Sequence, residues 1–493
     1  MMEIEVADDG DSLPNTTTKC VNIAPSGRRE HQQQEVEETK QGDQQLSADF
    51  THPDMDGGWA FAILLSMFCS FFINSGLLST AGVYHVQMLE YFGKDRSHTS
   101  WMGSLLNAFF LLTGPVCSYF LHRWGPQNAM RIGSIVMTAG LYVSAFTPSL
   151  EIMFFTYGII LACGMNFVYT GQISTLNLYF HKYQNVATAV SMVGIGMGTF
   201  LVNMWTEFNI ANYGWRNSLI WNAGLSLQLC VFGSLVYPLH WPCAISGAPE
   251  DGPSASRSAS SHALQSHSTS ISTMKMSAEA SYACSFISLP ETLIESTRKV
   301  FTDVCFWLIS VAFLFAVLST SSVLIIYKDF MKSRGLGEHY TLMLIGFGIG
   351  DVSGRLSMGF IHTSSMFNPV WSYSTTLFLT GLVLMCHVLV WSVPSMYILG
   401  AFFGMVYGAQ NVLIAITPVK LFGKERLVVV FGYLLFFGGI GALVGAPIAG
   451  AIVDRSGSYD GVLGLALASL LLAGGLMMLC ALKDAANTRT DPH

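Results

Sequence analysis

Along most of this chain hydrophobic residues do not alternate with polar ones; they come in long runs. From Gly57 onward, stretches of about 20 apolar residues, the length that crosses a bilayer core as a helix, recur twelve times. Their approximate cores are 59–84, 101–121, 129–147, 152–176, 186–207, 217–236, 303–327, 340–361, 370–391, 394–417, 427–453 and 460–482, numbered here as spans 1 to 12. Two tracts break the rhythm. Residues 1–55 are polar and acidic ("EVEETKQGDQQ"), too poor in apolar side chains to build a core, so they are expected to be disordered. They also begin without the basic and then apolar stretches of a secretory leader. Residues 238–300, including "SGAPEDGPSASRSASSHALQSHSTS", are Ser-rich and are expected to form a linker. The expected architecture is an all-α integral membrane fold: a tail (1–55), a six-helix half (56–237), the linker (238–300), a second six-helix half (301–483) and a short tail (484–493).

Composition narrows the class. The chain is 51% hydrophobic and 11% charged, whereas soluble domains run near a quarter charged. No nucleophile, base and orienting group fall at recognisable spacing, so the reading is not an enzyme, and no cofactor is expected. The ten cysteines are scattered, mostly singly inside spans, without metal-ligand spacing. The net charge of −7 comes largely from the acidic first segment and argues against nucleic acid as a partner. Basic residues close to span ends (Arg123, Arg131, Lys182, Lys420, Lys424, Arg426) place both termini in the cytoplasm by the excess of Lys and Arg on that side, with the plasma membrane as the expected location.

The two halves echo one another. Span 4 has Tyr157 and then Gly164-Met165; span 10 has Tyr397 and then Gly404-Met405 at the same spacing. Gly194 and Gly198 in span 5, like Gly441 and Gly445 in span 11, form small-residue steps four apart that let helix backbones approach closely. Duplicated halves are a common plan of secondary transporters, with the substrate site at the midplane between them.

Span 8 adds the chemistry. "GFGIGDVSGRLSMGF" (346–360) carries Asp351 and Arg355 four residues apart, on one helical face. A charge at the bilayer centre costs about 2.5–3.5 kcal/mol on insertion scales, so such residues face a bundle interior or a wet cavity. One reading is an ion pair that only pins span 8 to a neighbour. The other is a receptor for a carboxylate-bearing solute, since the guanidinium fork matches a carboxylate group.

Two further motifs carry a resemblance. "DGGWAF" opens span 1 with Asp56, Gly57, Gly58, Trp59 and Phe61, and "YFHKYQNVATAVSMVG" enters span 5 with Tyr179, Phe180 and Lys182. With "YGWR" (213–216), "YKDF" (327–330), "GAIVDRSGSYDG" (450–461), Gly114 and the "HRWG" after span 2, the chain resembles the monocarboxylate transporter family of the major facilitator superfamily over residues 53–483. It departs from the family pattern at Tyr183, Gln184, Ala189, His122 and Leu178. The resemblance implies the twelve-helix superfamily fold, alternating access for a small monocarboxylate-type solute, Asp351 and Arg355 as the substrate and proton site, and Tyr407 and Asn411 facing substrate. It also implies a single-span immunoglobulin-type ancillary glycoprotein as partner. The span-1 lysine of proton-coupled members is Ser79 here. Some relatives that carry aromatic amino acids, creatine, carnitine or other larger solutes also lack it, so a proton-independent facilitator of such solutes is the alternative; a transport-dead receptor or scaffold is the rival from another class. Asn107 and Ser319 to Ser322 are further cavity candidates, and His387 reads as a packed histidine. Trp59 and Phe61 suit an aromatic belt at the water boundary, and Lys182 is either an orientation anchor or a gate.

Overall fold

A computed structural model of the chain describes residues 56–237, 289–363, 367–389 and 392–490. Among these the regular structure is helical. Eight helices are long and apolar enough to cross a membrane, and a pair bent by 46° at Thr113 makes a ninth crossing. The remaining crossings are hidden inside longer helices. Gln184–Ser234 runs 51 residues, about 77 Å at 1.5 Å per residue and more than twice a hydrocarbon core. It breaks at Gly214 (φ 80°, ψ 162°). Gly125 (φ 77°, ψ 167°) and Gly423 (φ 77°, ψ 168°) break Gly114–Ala145 and Val393–Ser456 in the same way. A Cβ is excluded from that backbone region, which gives the glycines of "HRWG", "YGWR" and "LFGK" one shared job: a single-residue break between neighbouring spans. Pro126 then starts span 3, where its fixed φ suits a first helical position.

Divided there, each expected span has a helical counterpart: 1 (Trp59–Phe92), 2 (96–124), 3 (126–145), 4 (Leu150–Tyr179), 5 (184–213), 6 (215–234), 7 (Val304–Ser333), 8 (Tyr340–Ile361), 9 (Pro369–Leu389), 10 (393–422), 11 (Arg426–Ser456) and 12 (Asp460–Thr490). Two boundaries move. The end of the expected linker is the helix Leu289–Thr302, anchored by buried Val300 and by Phe301, whose ring meets Tyr433 edge-on at 4.8 Å. Span 12 continues as helix through Thr490, so part of the expected final tail is helical. The expectations for residues 1–55 and 238–288 lie outside the described residues.

Close backbone packing sets the geometry. A Cβ at Gly194 or Gly198 would collide with the Phe68 or Phe72 carbonyl of span 1; one at Gly441 or Gly445 would meet the Leu314 or Leu318 carbonyl of span 7. The matched glycine steps therefore make equivalent contacts, span 5 on 1 and span 11 on 7. The glycines of the other echo make different contacts. Gly164 packs on Gly133 and Met137 of span 3, whereas Gly404 packs on Phe347 of span 8, the counterpart of span 2. Span 8 lies flush along span 10 because Gly350 and Gly354 face Ala401 and Met405 while Gly404 and Gly408 face Phe347 and Asp351. The backbone carrying Asp351 is thereby fixed.

Among the described residues, side-chain hydrogen bonds of Ser118, Asn185 and Lys424 join the halves toward the end that carries Asp56. Ser118 Oγ donates to the Val428 carbonyl (2.8 Å), Asn185 Nδ2 to that of His362 (2.7 Å) and Lys424 Nζ to that of Phe180 (3.0 Å).

Candidate functional site

Arg355 and Asp351 are 2% and 4% exposed, so neither charge is solvated. The fork closes twice on the carboxylate: Nε donates to Oδ2 and Nη2 to Oδ1, both at 2.9 Å. Nη1 is buried without a hydrogen-bond partner. A buried donor left unmatched costs about 1–3 kcal/mol, and more when charged, so Nη1 is the group in this arrangement that most needs an acceptor. The pair sits where three helices meet. Gly408 of span 10 packs beneath Asp351, and Gly196 of span 5 faces its Oδ2. The two halves of the molecule thus touch at the buried carboxylate.

Aromatic rings surround the pair. Tyr169 of span 4 and Tyr407 of span 10 lie within electrostatic range of the guanidinium. Tyr169 stacks on Phe431 of span 11 at 6.1 Å and meets Phe71 and Phe110 edge-on. Tyr407 packs against Phe347 at 5.6 Å. These rings can hold an apolar or cationic body beside the fork.

The other expected residues divide. Asn411 is on the face of Tyr407 but its amide returns to the Tyr407 carbonyl (2.9 Å). Asn107 is exposed and donates within its own helix. Ser79 bridges spans 1 and 5, donating to Asn203 Oδ1 at 3.2 Å. The serines of span 7 do not form a polar wall. Ser319 and Ser322 are buried and bonded to the backbones of spans 12 and 11, Ser319 to Ala466 and Ser322 to Gly445, because hydroxyls on packed helices find neighbouring carbonyls. His387 is buried and bonded to the Val383 carbonyl. A cavity of about 400 Å³ at the Asp56 end, with Gln184, Asn185, His362 and Lys420 in its wall, does not include the charge pair. Its wall holds no unmatched buried charge, whereas the pair does.

The two motifs that carried the resemblance meet each other instead of the pair. Asp56 accepts from the backbone N–H groups of His181 (3.0 Å), Lys182 (2.9 Å) and Tyr183 (3.3 Å), and its own N–H donates to the Tyr179 carbonyl (3.1 Å). Its φ of 55° lies in the left-handed region that Asp tolerates better than most residues. Partial burial pushes the carboxyl pKa up, but the three amides outweigh it and the net pKa falls below 3.8. Gly57 and Gly58 lead from there into span 1; Trp59 Nε1 donates to the Leu235 carbonyl (3.3 Å) and its ring packs on Tyr237. Tyr179 hydroxyl donates to the Tyr237 carbonyl (2.6 Å). Phe180 is buried, whereas Phe61 is 60% exposed. The Lys182 side chain lies exposed over the Tyr183 ring. The lysine that crosses between the halves is Lys424, which caps the last carbonyls of span 4, Asn177 and Phe180. Half-burial lowers its pKa, with the Asp56 charge opposing the shift. Sequence reasoning noted Lys424 only as a basic residue near a span end, and it missed Tyr169 and Phe431, whose signal was simply aromatic residues among many.

Comparison with known proteins agrees with this architecture. Residues 60–366 match the model of the Major Facilitator Superfamily. The chain is 26% identical to monocarboxylate transporter 9 of Mus musculus (87% of this chain, 93% of that protein) and 26% to monocarboxylate transporter 12 of Rattus norvegicus (87% and 85%). It is 27% identical to monocarboxylate transporter 14 of Mus musculus (83% and 87%). Among solved structures, the proton:xylose symporter XylE superposes with a TM-score of 0.59 at 11% identity, covering 86% of this chain and 94% of its own. The transporter FucP in its outward conformation gives 0.58 at 10%, covering 84% and 97%. A helical bundle in two six-span halves that meet at a buried ion pair, matched by the family model over most of its length, belongs to the Major Facilitator Superfamily: it is a multi-pass transporter, not an enzyme, and its curated relatives are monocarboxylate transporters.

Proposed function

We propose that this protein is a plasma-membrane secondary transporter, both termini cytoplasmic, that moves a small carboxylate-bearing organic solute by alternating access, with Arg355 as its receptor. The observation that carries the reading is Arg355 Nη1, a buried charged donor without a partner on a fork whose other edge Asp351 already holds. A solute carboxylate completes that donor set. Tyr407, Asn411 and Tyr169 flank the space beside it; Asn107 and Ser79 contribute farther out.

Charge balance favours the second reading within transport. The pair is neutral as it stands. A bare monocarboxylate adds one negative charge to a region where an unbalanced charge costs about 2.5–3.5 kcal/mol, unless Asp351 takes a proton. A zwitterion such as an amino acid, a creatine-like or a carnitine-like solute adds none, and its cation finds Asp351 and the rings of Tyr407 and Phe347. With no lysine in span 1, the proton-independent zwitterion facilitator is the better supported form.

The test is radiolabelled uptake of lactate, creatine, carnitine and an aromatic amino acid in a cell line, with and without co-expression of a single-span immunoglobulin-type glycoprotein. Saturable flux of a zwitterion that Arg355→Lys abolishes supports the reading. Flux of lactate alone restores the monocarboxylate carrier. No flux from a delivered, folded protein favours the receptor or scaffold.

A further inference from the structure

Span 5 carries a line of polar side chains that leads away from the charge pair. A Cβ built on Gly196 would lie 2.9 Å from Asp351 Oδ2, so this azimuth of span 5 looks across at span 8. At 3.6 residues per turn, Asn203 and Glu207 return to within about 20° of that azimuth, two and three turns farther from the Asp56 end. Asn203 is half-buried and accepts from Ser79. Glu207 is exposed and has no hydrogen bond or ion pair among the described residues. The flank of the same turn that meets span 6 is buried: Thr206 accepts from Asn222 of span 6 at 3.1 Å, and Asn209 is 2% exposed, whereas Phe200, Trp205 and Phe208 are exposed. Glu207 stands seven residues before the break at Gly214, about 10 Å along the helix, at the end of the apolar run of span 5 that is remote from Asp56. A carboxylate there faces water or a partner, because facing acyl chains is strongly disfavoured. Its azimuth is close to that of Gly196, the side of span 5 that faces span 8.

We propose that Glu207 is a charge-selecting residue on the solute path, which draws ammonium- or guanidinium-bearing solutes toward the pair and disfavours bare carboxylate anions. It is about 16 Å from the level of Gly196 along the helix, too far to touch a small solute already on Arg355, so it acts on approach. Asp351 and Arg355 cancel; Glu207 leaves these three groups with one net negative charge, and a cleft of one sign concentrates the opposite sign. The inference deepens the zwitterion reading and rests on it for the solute class alone.

Thiol chemistry tests it without any transported substrate. In the purified full-length protein, the Glu207→Cys thiol is expected to react with membrane-impermeant methanethiosulfonates above the background of the unsubstituted chain. No reaction means the position faces lipid, and the proposal is wrong. In Asn203→Cys, or Thr199→Cys should that variant not fold, the cationic trimethylammonium reagent is expected to outpace the anionic sulfonate reagent. Adding Glu207→Gln should lower that ratio about threefold or more; an unchanged ratio overturns the proposal. If a zwitterion is transported, Glu207→Gln should raise its KM severalfold with little change in maximal rate. Failure of the whole solute panel would sink the solute reading while the labelling ratios still decide Glu207.

Discussion

Asp56 and Asp351 are both carboxylates that accept several hydrogen bonds, yet they sit in opposite circumstances. Asp56 is half-buried at one end of the bundle and satisfies three backbone N–H groups that lead into span 5. Its partners are neutral backbone amides, each matched by a carboxylate oxygen. Asp351 is 4% exposed at the meeting of spans 5, 8 and 10, and its partner is a cation that retains an unmatched donor. The first arrangement closes on itself and builds scaffold. The second stays open to one more ligand, which is what a binding site requires.

The sharpest way to break that contrast is Asp351→Asn, which nearly preserves volume and removes the counter-charge. Breaking a buried pair from one side costs about 3–5 kcal/mol, so thermal stability and delivery should fall together with uptake. Normal flux would mean that Arg355 has another partner and that the pair is ornamental. Arg355→Lys is gentler on the fold, because the charge survives, but an ammonium cannot reproduce a planar fork. Uptake should drop to about a tenth or less, roughly 1.4 kcal/mol of lost binding, while surface delivery persists.

Asp56 should respond in the opposite sense. Asp56→Ala removes the acceptor of three backbone N–H groups and asks alanine to hold a φ of 55°, so it should lower stability by about 1–2 kcal/mol and leave KM for the solute unchanged in the protein that is delivered. Asp56→Asn, which holds the left-handed backbone as well as Asp does and keeps one acceptor, should lose less than Asp56→Ala. A KM change in either variant, larger than the stability loss, would move Asp56 from scaffold to path.

The same contrast explains what could be read from the residues alone. Span positions were legible because apolar runs of bilayer length have few other solutions. Asp351 and Arg355 were legible because a charge in such a run is costly enough to demand a reason. The motifs at Asp56 and Tyr179 were the strongest marks of kinship, and their role was not legible, because it is a tertiary contact between segments more than 120 residues apart. Ser319 and Ser322 misled for a related cause: hydroxyls on a helix look alike in sequence whether they face a cavity or the carbonyl of a neighbouring helix. Glu207 ends the apolar run of span 5, where an acid is unremarkable in sequence, and only the azimuth fixed by Gly196 against Asp351 gives it a direction.

The smallest expected effect is that of pH, and it bears on whether Asp351 ever becomes a carrier of protons. Asp56 does not confuse the measurement. Its folded-state pKa is depressed below 3.8, so its contribution to stability is present above the unfolded value and is lost only as pH falls through the folded one. Between pH 6 and pH 8 it is constant. Asp351 holds both edges of its carboxylate on Arg355 at 2.9 Å, so the pair as it stands is neutral and accepts a zwitterion without a further charge. No second cation on span 1 competes for that carboxylate; Ser79 occupies the position and is engaged with Asn203 and with the backbone of its own helix (2.7 Å). Initial uptake at external pH 6 and pH 8, with internal pH fixed, should therefore differ by less than about twofold, a change of under roughly 0.4 kcal/mol. Ser79→Lys places an ammonium on span 1 facing span 5 and should increase the pH dependence if the added charge is tolerated. A severalfold stimulation at pH 6 in the unsubstituted protein, collapsed by a protonophore, would instead make Asp351 the proton carrier, and the difference between the two carboxylates would then be one of titration as well as of partners.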